Sequence, residues 1–185
     1  VVNGETARPG ETPVTTVRLE RPEDIATVRI INERAFNGAA EATIVDALRE
    51  LPGVLSLVAV TSGTVTGHVL FSPVDIERVP EGLKAMGLAP LAVLPEQQRH
   101  GLGSALVRKG LDVCRLLGYG FVVVLGHPEY YARFGFSTAA DHGLHSEFPA
   151  PRESFMVREL TPGVLKSASG LVRYHDAFSR NVESR

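Results

Sequence analysis

Apolar and polar positions alternate along this chain with two different periods, and the period changes mark the expected elements. Val14-Thr15-Thr16-Val17-Arg18-Leu19 is rich in β-branched residues and predicts a first strand. Pro22, followed by Glu23 and Asp24, opens a helical pattern in which Ile25, Val28, Ile31 and Ala35 or Phe36 recur on one face; Asn37-Gly38 stops it. A second helix is expected from Glu41 to Leu51, with Ile44, Ala47, Leu48 and Leu51 inward and Pro52-Gly53 as its end. Leu55 to Val60 and Val65 to Phe71 predict a hairpin across Thr61-Ser62-Gly63-Thr64. The pattern then predicts a polar loop and a strand over Leu88 to Leu94, where Pro90 argues for an edge or a bulge.

The next segment is the most informative in the chain. Pro95 ends the strand, a polar turn follows, and Gly101-Leu102-Gly103 leads into an amphipathic helix of about Gly101 to Leu117. That helix is expected to bury Leu102, Leu106, Val113 and Leu117 and to end at Gly118 in a left-handed cap. A strand feeding a glycine elbow and a helix N-terminus offers free N–H groups and a favourable dipole to a phosphate or pyrophosphate. Phe121 to Leu125 is a continuous apolar run, as in a strand covered on both faces. His127-Pro128-Glu129 starts a short helix reaching Phe134, closed by Gly135, and Phe155 to Leu160 and Leu171 to Tyr174 are two late strands.

The chemistry of the elbow is narrowed by what it lacks. A dinucleotide fingerprint needs a third glycine where Leu106 stands and an acid after the next strand, which ends Leu125-Gly126-His127. A triphosphate loop needs a lysine after its glycine, and Gly103 is followed by Ser104. What remains is Gln98-Arg99-His100-Gly101-Leu102-Gly103, which resembles the acetyl-coenzyme A signature of the GNAT N-acetyltransferase superfamily. Tyr130-Tyr131-Ala132-Arg133-Phe134-Gly135-Phe136 resembles that family's aromatic-Tyr-x-x-x-Gly-Phe segment, and the two blocks are separated by one helix and one strand, as the family's order requires. The resemblance runs from about Val14 to Phe136 and is nearest to small bacterial members of undefined substrate.

The resemblance implies an α/β fold: a mixed, twisted, six- or seven-stranded sheet with helices on both faces, whose fourth and fifth strands splay to admit acetyl-coenzyme A. It implies an acetyl-CoA-dependent N-acetyltransferase occupying residues 14–185, behind a flexible arm at residues 1–13. Acetyl transfer from acetyl-CoA to a primary amine would proceed by direct attack, with no covalent enzyme intermediate. The backbone from Leu91 through Ala92 to Val93 would pair with the amide-bearing pantetheine arm, and an N–H there would face the thioester oxygen. Gln98, Arg99, His100, Gly101, Leu102, Gly103 and Ser104 would cradle the pyrophosphate. Tyr131 would be the general acid that protonates the departing thiolate. The sequence departs from the family in two places. Gly126-His127-Pro128 stands where many members place an asparagine near the end of the fifth strand, and Leu88 to Leu94 holds no carboxylate to serve as base. Glu33, Glu41 and His127 are the candidate bases.

Other residues carry blander readings. His68 sits in a strand pattern and reads as a satisfied structural histidine. His142 and His145 lack a third partner for a metal, and Cys114 falls in an apolar helix repeat as a small core residue. Composition bounds the function further. A net charge of −2 gives no basic footprint for nucleic acid, and no apolar run approaches membrane-spanning length. One cysteine and no signal-peptide pattern fit a cytoplasmic setting. The expected partner is a small-molecule or peptide amine acceptor, and a homodimer is consistent with many relatives. The rival readings are a catalytically weak coenzyme A-binding sensor or interaction module, and a nicotinamide-dependent oxidoreductase.

Overall fold

In a computed structural model of the protein, which describes residues 15–179, one face of each long helix closes on a central sheet. The strands are β1 (Thr15–Leu19), β2 (Leu55–Thr61), β3 (Thr64–Arg78), β4 (Ala85–Val93), β5 (Phe121–Leu125), β6 (Ser137–Thr138), β7 (Leu144–Ser146), β8 (Phe155–Glu159) and β9 (Ser169–Arg173). The helices are α1 (Ile25–Phe36), α2 (Ala40–Leu48), α3 (Leu102–Leu116) and α4 (Pro128–Ala132). The main path runs β1-β2-β3-β4-β5-β8-β6, with β9 paired to the far half of β3 and to β7. The arm expected at residues 1–13 and the start of the first strand at Val14 lie outside the described residues.

The sheet has nine strands rather than six or seven. Two of the extra strands, β6 and β7, span two and three residues, too short to carry a period. The expected polar loop after Phe71 is in part strand, because β3 continues to Arg78. There Asp75, Ile76 and Arg78 find ladder partners on β9 that lie far away in sequence. β4 correspondingly starts at Ala85, three residues before its expected start.

Two apolar layers sandwich the sheet. On one face, α3 presents Leu102, Leu106, Val107, Leu111 and Cys114, and α4 contributes Tyr131, against Leu57, Val69, Phe71 and Leu88. On the other, α1 and α2 supply Val28, Ile31, Ile44, Val45 and Leu48 over Val58, Leu70 and Ala92. This alternation along β3 is the period-2 rule at work: Val69 and Phe71 face α3, whereas His68 and Leu70 face α1. The inward turn expected of Leu117 does not occur. The helix ends at Leu116, and Leu117 caps it 60% exposed; Val113 is only partly buried.

His68 is fully buried and fully satisfied, as its sequence context suggested. Its Nδ1 lies 3.1 Å from the Asn32 amide nitrogen, and its Nε2 lies 2.9 Å from Ser56 Oγ. Ser56 donates its own proton to Glu20, so Nε2 must be the protonated ring nitrogen. Glu20 pairs in turn with Arg49 at 3.0 Å. Burial, reinforced by the Arg49 charge, holds the imidazole pKa down to about 3.

Candidate active site

β4 and β5 run parallel, but their pairing stops early. Ala85, Met86 and Gly87 pair with Phe121, Val122 and Val123, and beyond them the strands part. The β5-facing edge of β4 from Leu88 to Val93 therefore has no strand partner and presents alternate N–H and C=O groups to a cleft. On its other side, β4 stays paired to β3 through an irregularity. Leu91 pairs with Val69 and Leu88 with Phe71, so Ala89 and Pro90 together oppose Leu70. Pro90, which has no N–H to offer, falls in this bulge, as expected for a proline in a strand.

The mouth of the cleft is formed by the elbow. Pro95–Gln97 makes a single tight turn, after which the Gln98 side-chain amide donates to the Val93 carbonyl at 3.1 Å and ties the loop to the strand end. Arg99 and Gly101 both adopt left-handed backbone conformations, at φ 66° and 85°. The first bond of α3 runs from the Ala105 N–H to the Gly101 carbonyl at 3.0 Å, so the N–H groups of Leu102, Gly103 and Ser104 open outward. α1 is joined to the loop by a forked ion pair between Arg34 and Glu96, at 3.0 and 3.1 Å; both side chains are half exposed, so the pair adds little stability.

Two tyrosines enter from α4 with different placements. The Tyr131 ring is 8% exposed and packs edge-on against Tyr130 and Phe136, with centroids 5.0 and 5.6 Å away. It lies so close over Gly126 that a Cβ there would sit 2.4 Å from the ring. Burial, with a smaller contribution from Tyr130, pushes its phenol pKa far above the usual value, so the group is a proton donor at any physiological pH. Tyr130 instead reaches the elbow. A Cβ on Gly103 would meet its hydroxyl at 2.7 Å, and Arg133 stacks over its ring at 4.5 Å. Burial raises the Tyr130 phenol pKa, opposed by its hydrogen bond to Ser104.

These elements enclose a cleft of about 1260 Å³. Of the expected cofactor residues, Leu91, Val93, Gln98, Arg99, Gly101, Leu102, Gly103 and Ser104 line it, and so do Tyr131, Glu41 and His127. Ala92, His100 and Glu33 do not. Ala92 points into the α1–α2 layer because neighbours on a strand face opposite ways. Glu33 is held by Arg29 at 3.0 Å, which also reaches Asp46 on α2. Sequence reasoning passed over Tyr130 and Arg133 as residues that line the cleft. It also missed the opposite wall, made by Phe36, Ala40, Ile44, Phe148, Pro149 and Phe178. Tyr130 and Arg133 lie inside the quoted motif, but nothing local points to Phe148 or Phe178, which only the fold brings to the cleft. His142 is engaged by Ser137 at 3.0 Å, and the described residues contain no cluster of three His, Cys, Asp or Glu suited to a metal. Burial pushes the Cys114 thiol up to about 12, which suits a core residue.

A sheet split between two parallel strands, with a glycine elbow and a helix N-terminus at its mouth, is the arrangement of an N-acetyltransferase. The chain matches the acetyltransferase (GNAT) family over residues 25–136, and it belongs to that family. It is 41% identical to the uncharacterized N-acetyltransferase YhbS of Escherichia coli K12 over 167 residues, covering 89% of this chain and 98% of the relative. A crystal structure of the Escherichia coli YhbS protein in complex with CoA superposes with a TM-score of 0.85 at 39% identity, covering 94% of this chain and 97% of that one. A GNAT family acetyltransferase from Brucella melitensis, in complex with acetyl-CoA, gives 0.72 at 38% identity, covering 89% and 98%.

Proposed function

We propose that this N-acetyltransferase moves the acetyl group of acetyl-CoA directly to a primary amine inside the split between β4 and β5. The observation that carries this reading is the coincidence of three features in one cleft: the outward N–H groups of Leu102 to Ser104, the unpaired edge of β4 and the buried Tyr131 phenol. The elbow and the helix dipole suit a pyrophosphate, and the free strand edge suits an extended chain bearing amides. The complexes of the two relatives with CoA and acetyl-CoA support the same cofactor here.

Within that reading each group has a defined task. N–H groups of the β4 edge, between Leu91 and Val93, hold the charge that develops on the thioester oxygen. The Tyr131 hydroxyl gives its proton to the departing thiolate, whose affinity for a proton is that of an ordinary thiol, near 8.5. Of the three candidate bases, Glu41 and His127 have access to the cleft, and Glu33 is withdrawn. We assign removal of the amine proton to Glu41, which belongs to the helix layer across the sheet from the elbow, the side left open to an acceptor. The test is release of free thiol from acetyl-CoA on addition of amines, with calorimetric titration of acetyl-CoA and NAD alongside. Tight acetyl-CoA binding with amine-dependent thiol release is expected. Binding without release for any amine would leave a coenzyme A-binding module instead.

A further inference from the structure

The cleft is larger than the roughly 300–1,000 Å³ of an ordinary single-ligand pocket, so it has room for an acceptor beside the cofactor. Its two walls belong to opposite faces of the sheet. Leu91, Val93, Tyr130 and Tyr131 pack with the α3 layer, whereas Ile44, Phe148 and Phe178 pack with the layers on the α1–α2 side. The split thus connects the elbow on one face to a second chamber on the other.

The chemistry of that second chamber is unlike the first. Phe36, Ile44, Phe148, Pro149 and Phe178 give it an apolar surface. Phe148 and Phe178 are both braced on Tyr174, at centroid distances of 5.7 and 5.3 Å. Tyr174 in turn packs on Gly87, the last β4 residue paired with β5, where a Cβ would lie 2.4 Å from its ring. The aromatic wall is therefore anchored at the point where the strands part. Among the described residues lining the cleft, Glu41 is the single carboxylate, and the cations Arg99 and Arg133 belong to the elbow side.

We propose that the acceptor is a small monoamine carried on an apolar, preferably aromatic body, seated between Phe36, Phe148 and Phe178 with its ammonium directed to Glu41. This rests on the acetyl-transfer reading above and specifies its second substrate. A polyamine or an amino sugar would bury further charges or hydroxyls against a wall whose described residues offer one polar side chain to receive them. An amino acid would carry a second charge, its carboxylate, into the same apolar surface of Phe36, Phe148 and Phe178.

The experiment measures kcat/KM at saturating acetyl-CoA for phenethylamine, phenylalanine, spermidine, glucosamine, a peptide with N-terminal phenylalanine and a series of n-alkylamines. Phenethylamine is expected to exceed phenylalanine, spermidine and glucosamine by at least about tenfold, and the alkyl series to rise about two- to fourfold per methylene. Phe36 is 39% exposed, so Phe36→Asp should keep the fold and acetyl-CoA affinity while lowering kcat/KM for phenethylamine and raising spermidine relative to it. Phe178→Leu should keep the apolar preference and weaken the preference for aromatic over alkyl amines. A flat alkyl series, a preference for any of the three polar amines, a stronger preference for a peptide with N-terminal phenylalanine, or no turnover of apolar amines would overturn the proposal. Absence of acetyl-CoA binding in the parallel titration would overturn the acetyl-transfer reading as well, so the two failures are told apart.

Discussion

Tyr130 and Tyr131 are adjacent in sequence, yet one helical step sends one ring to the glycine elbow and the other to the throat of the split sheet. Their phenylalanine variants should separate accordingly. Tyr131→Phe is expected to keep acetyl-CoA affinity and lower kcat by about 10²–10⁴-fold, since the acid role proposed for its hydroxyl is exerted only as charge builds on sulfur. Tyr130→Phe is expected to act mainly on cofactor affinity, because its hydroxyl stands at Gly103 and Ser104. Single-turnover rates and calorimetry check both; a silent Tyr131→Phe would remove the acid assignment. His68 gives a second residue-scale outcome. Its folded pKa of about 3 lies below the ordinary value of 6.5, so protons bind the unfolded chain first as pH falls. Its contribution is complete above about pH 6.5 and is lost as pH drops toward 3. About 2 kcal/mol should be gone by pH 5, read from urea unfolding at constant ionic strength. His68→Gln should flatten that part of the curve.

At the scale of elements, the junction of β4 and α3 depends on two glycines for different reasons. Gly101 sits at φ 85°, and a Cβ there would project into open space, so its cost is backbone strain of about 1–2 kcal/mol and intrusion on the cleft. Gly103 has helical geometry, and its constraint is the Tyr130 hydroxyl. Gly103→Val is therefore expected to abolish measurable acetyl-CoA binding in a folded protein, verified by circular dichroism and titration. Gly103→Ala should be milder and coupled to Tyr130. In the double variant with Tyr130→Phe the atom at 2.7 Å is gone, and the nearest remaining ring carbon is 3.8 Å from the new methyl. The two stability changes should then sum to more than the double variant shows.

For the whole molecule, the cleft exists only in the folded state, because β4, β5, α2, α4 and the segment around Phe178 all contribute to it. Acetyl-CoA should consequently bind the folded chain alone. At about a hundred times its dissociation constant it should add about 2.7 kcal/mol, which for a chain of this size is a melting shift of about 5–10 °C. Calorimetric scans with and without ligand check this; a shift with NAD and none with acetyl-CoA would reverse the cofactor assignment.

The sequence by itself determined the features that are local. Asn37 and Gly118 ended their helices in left-handed conformations, Ser62-Gly63 made the two-residue hairpin, and the glycine elbow opened α3, all because turn and cap geometry is set by a few adjacent residues. The elbow side of the cleft was legible for the same reason, since elbow and tyrosine motif are each contiguous. The tertiary structure decided everything that depends on distant segments meeting. It extended β3 to Arg78 by giving it β9 as a partner, and it withdrew Glu33 behind Arg29 while bringing Glu41 to the cleft. It turned Ala92 away from its neighbours Leu91 and Val93, and it assembled Phe36, Phe148 and Phe178 into one wall. No local pattern encodes such an encounter, because the gain from burying those surfaces appears only once the sheet has ordered the segments between them.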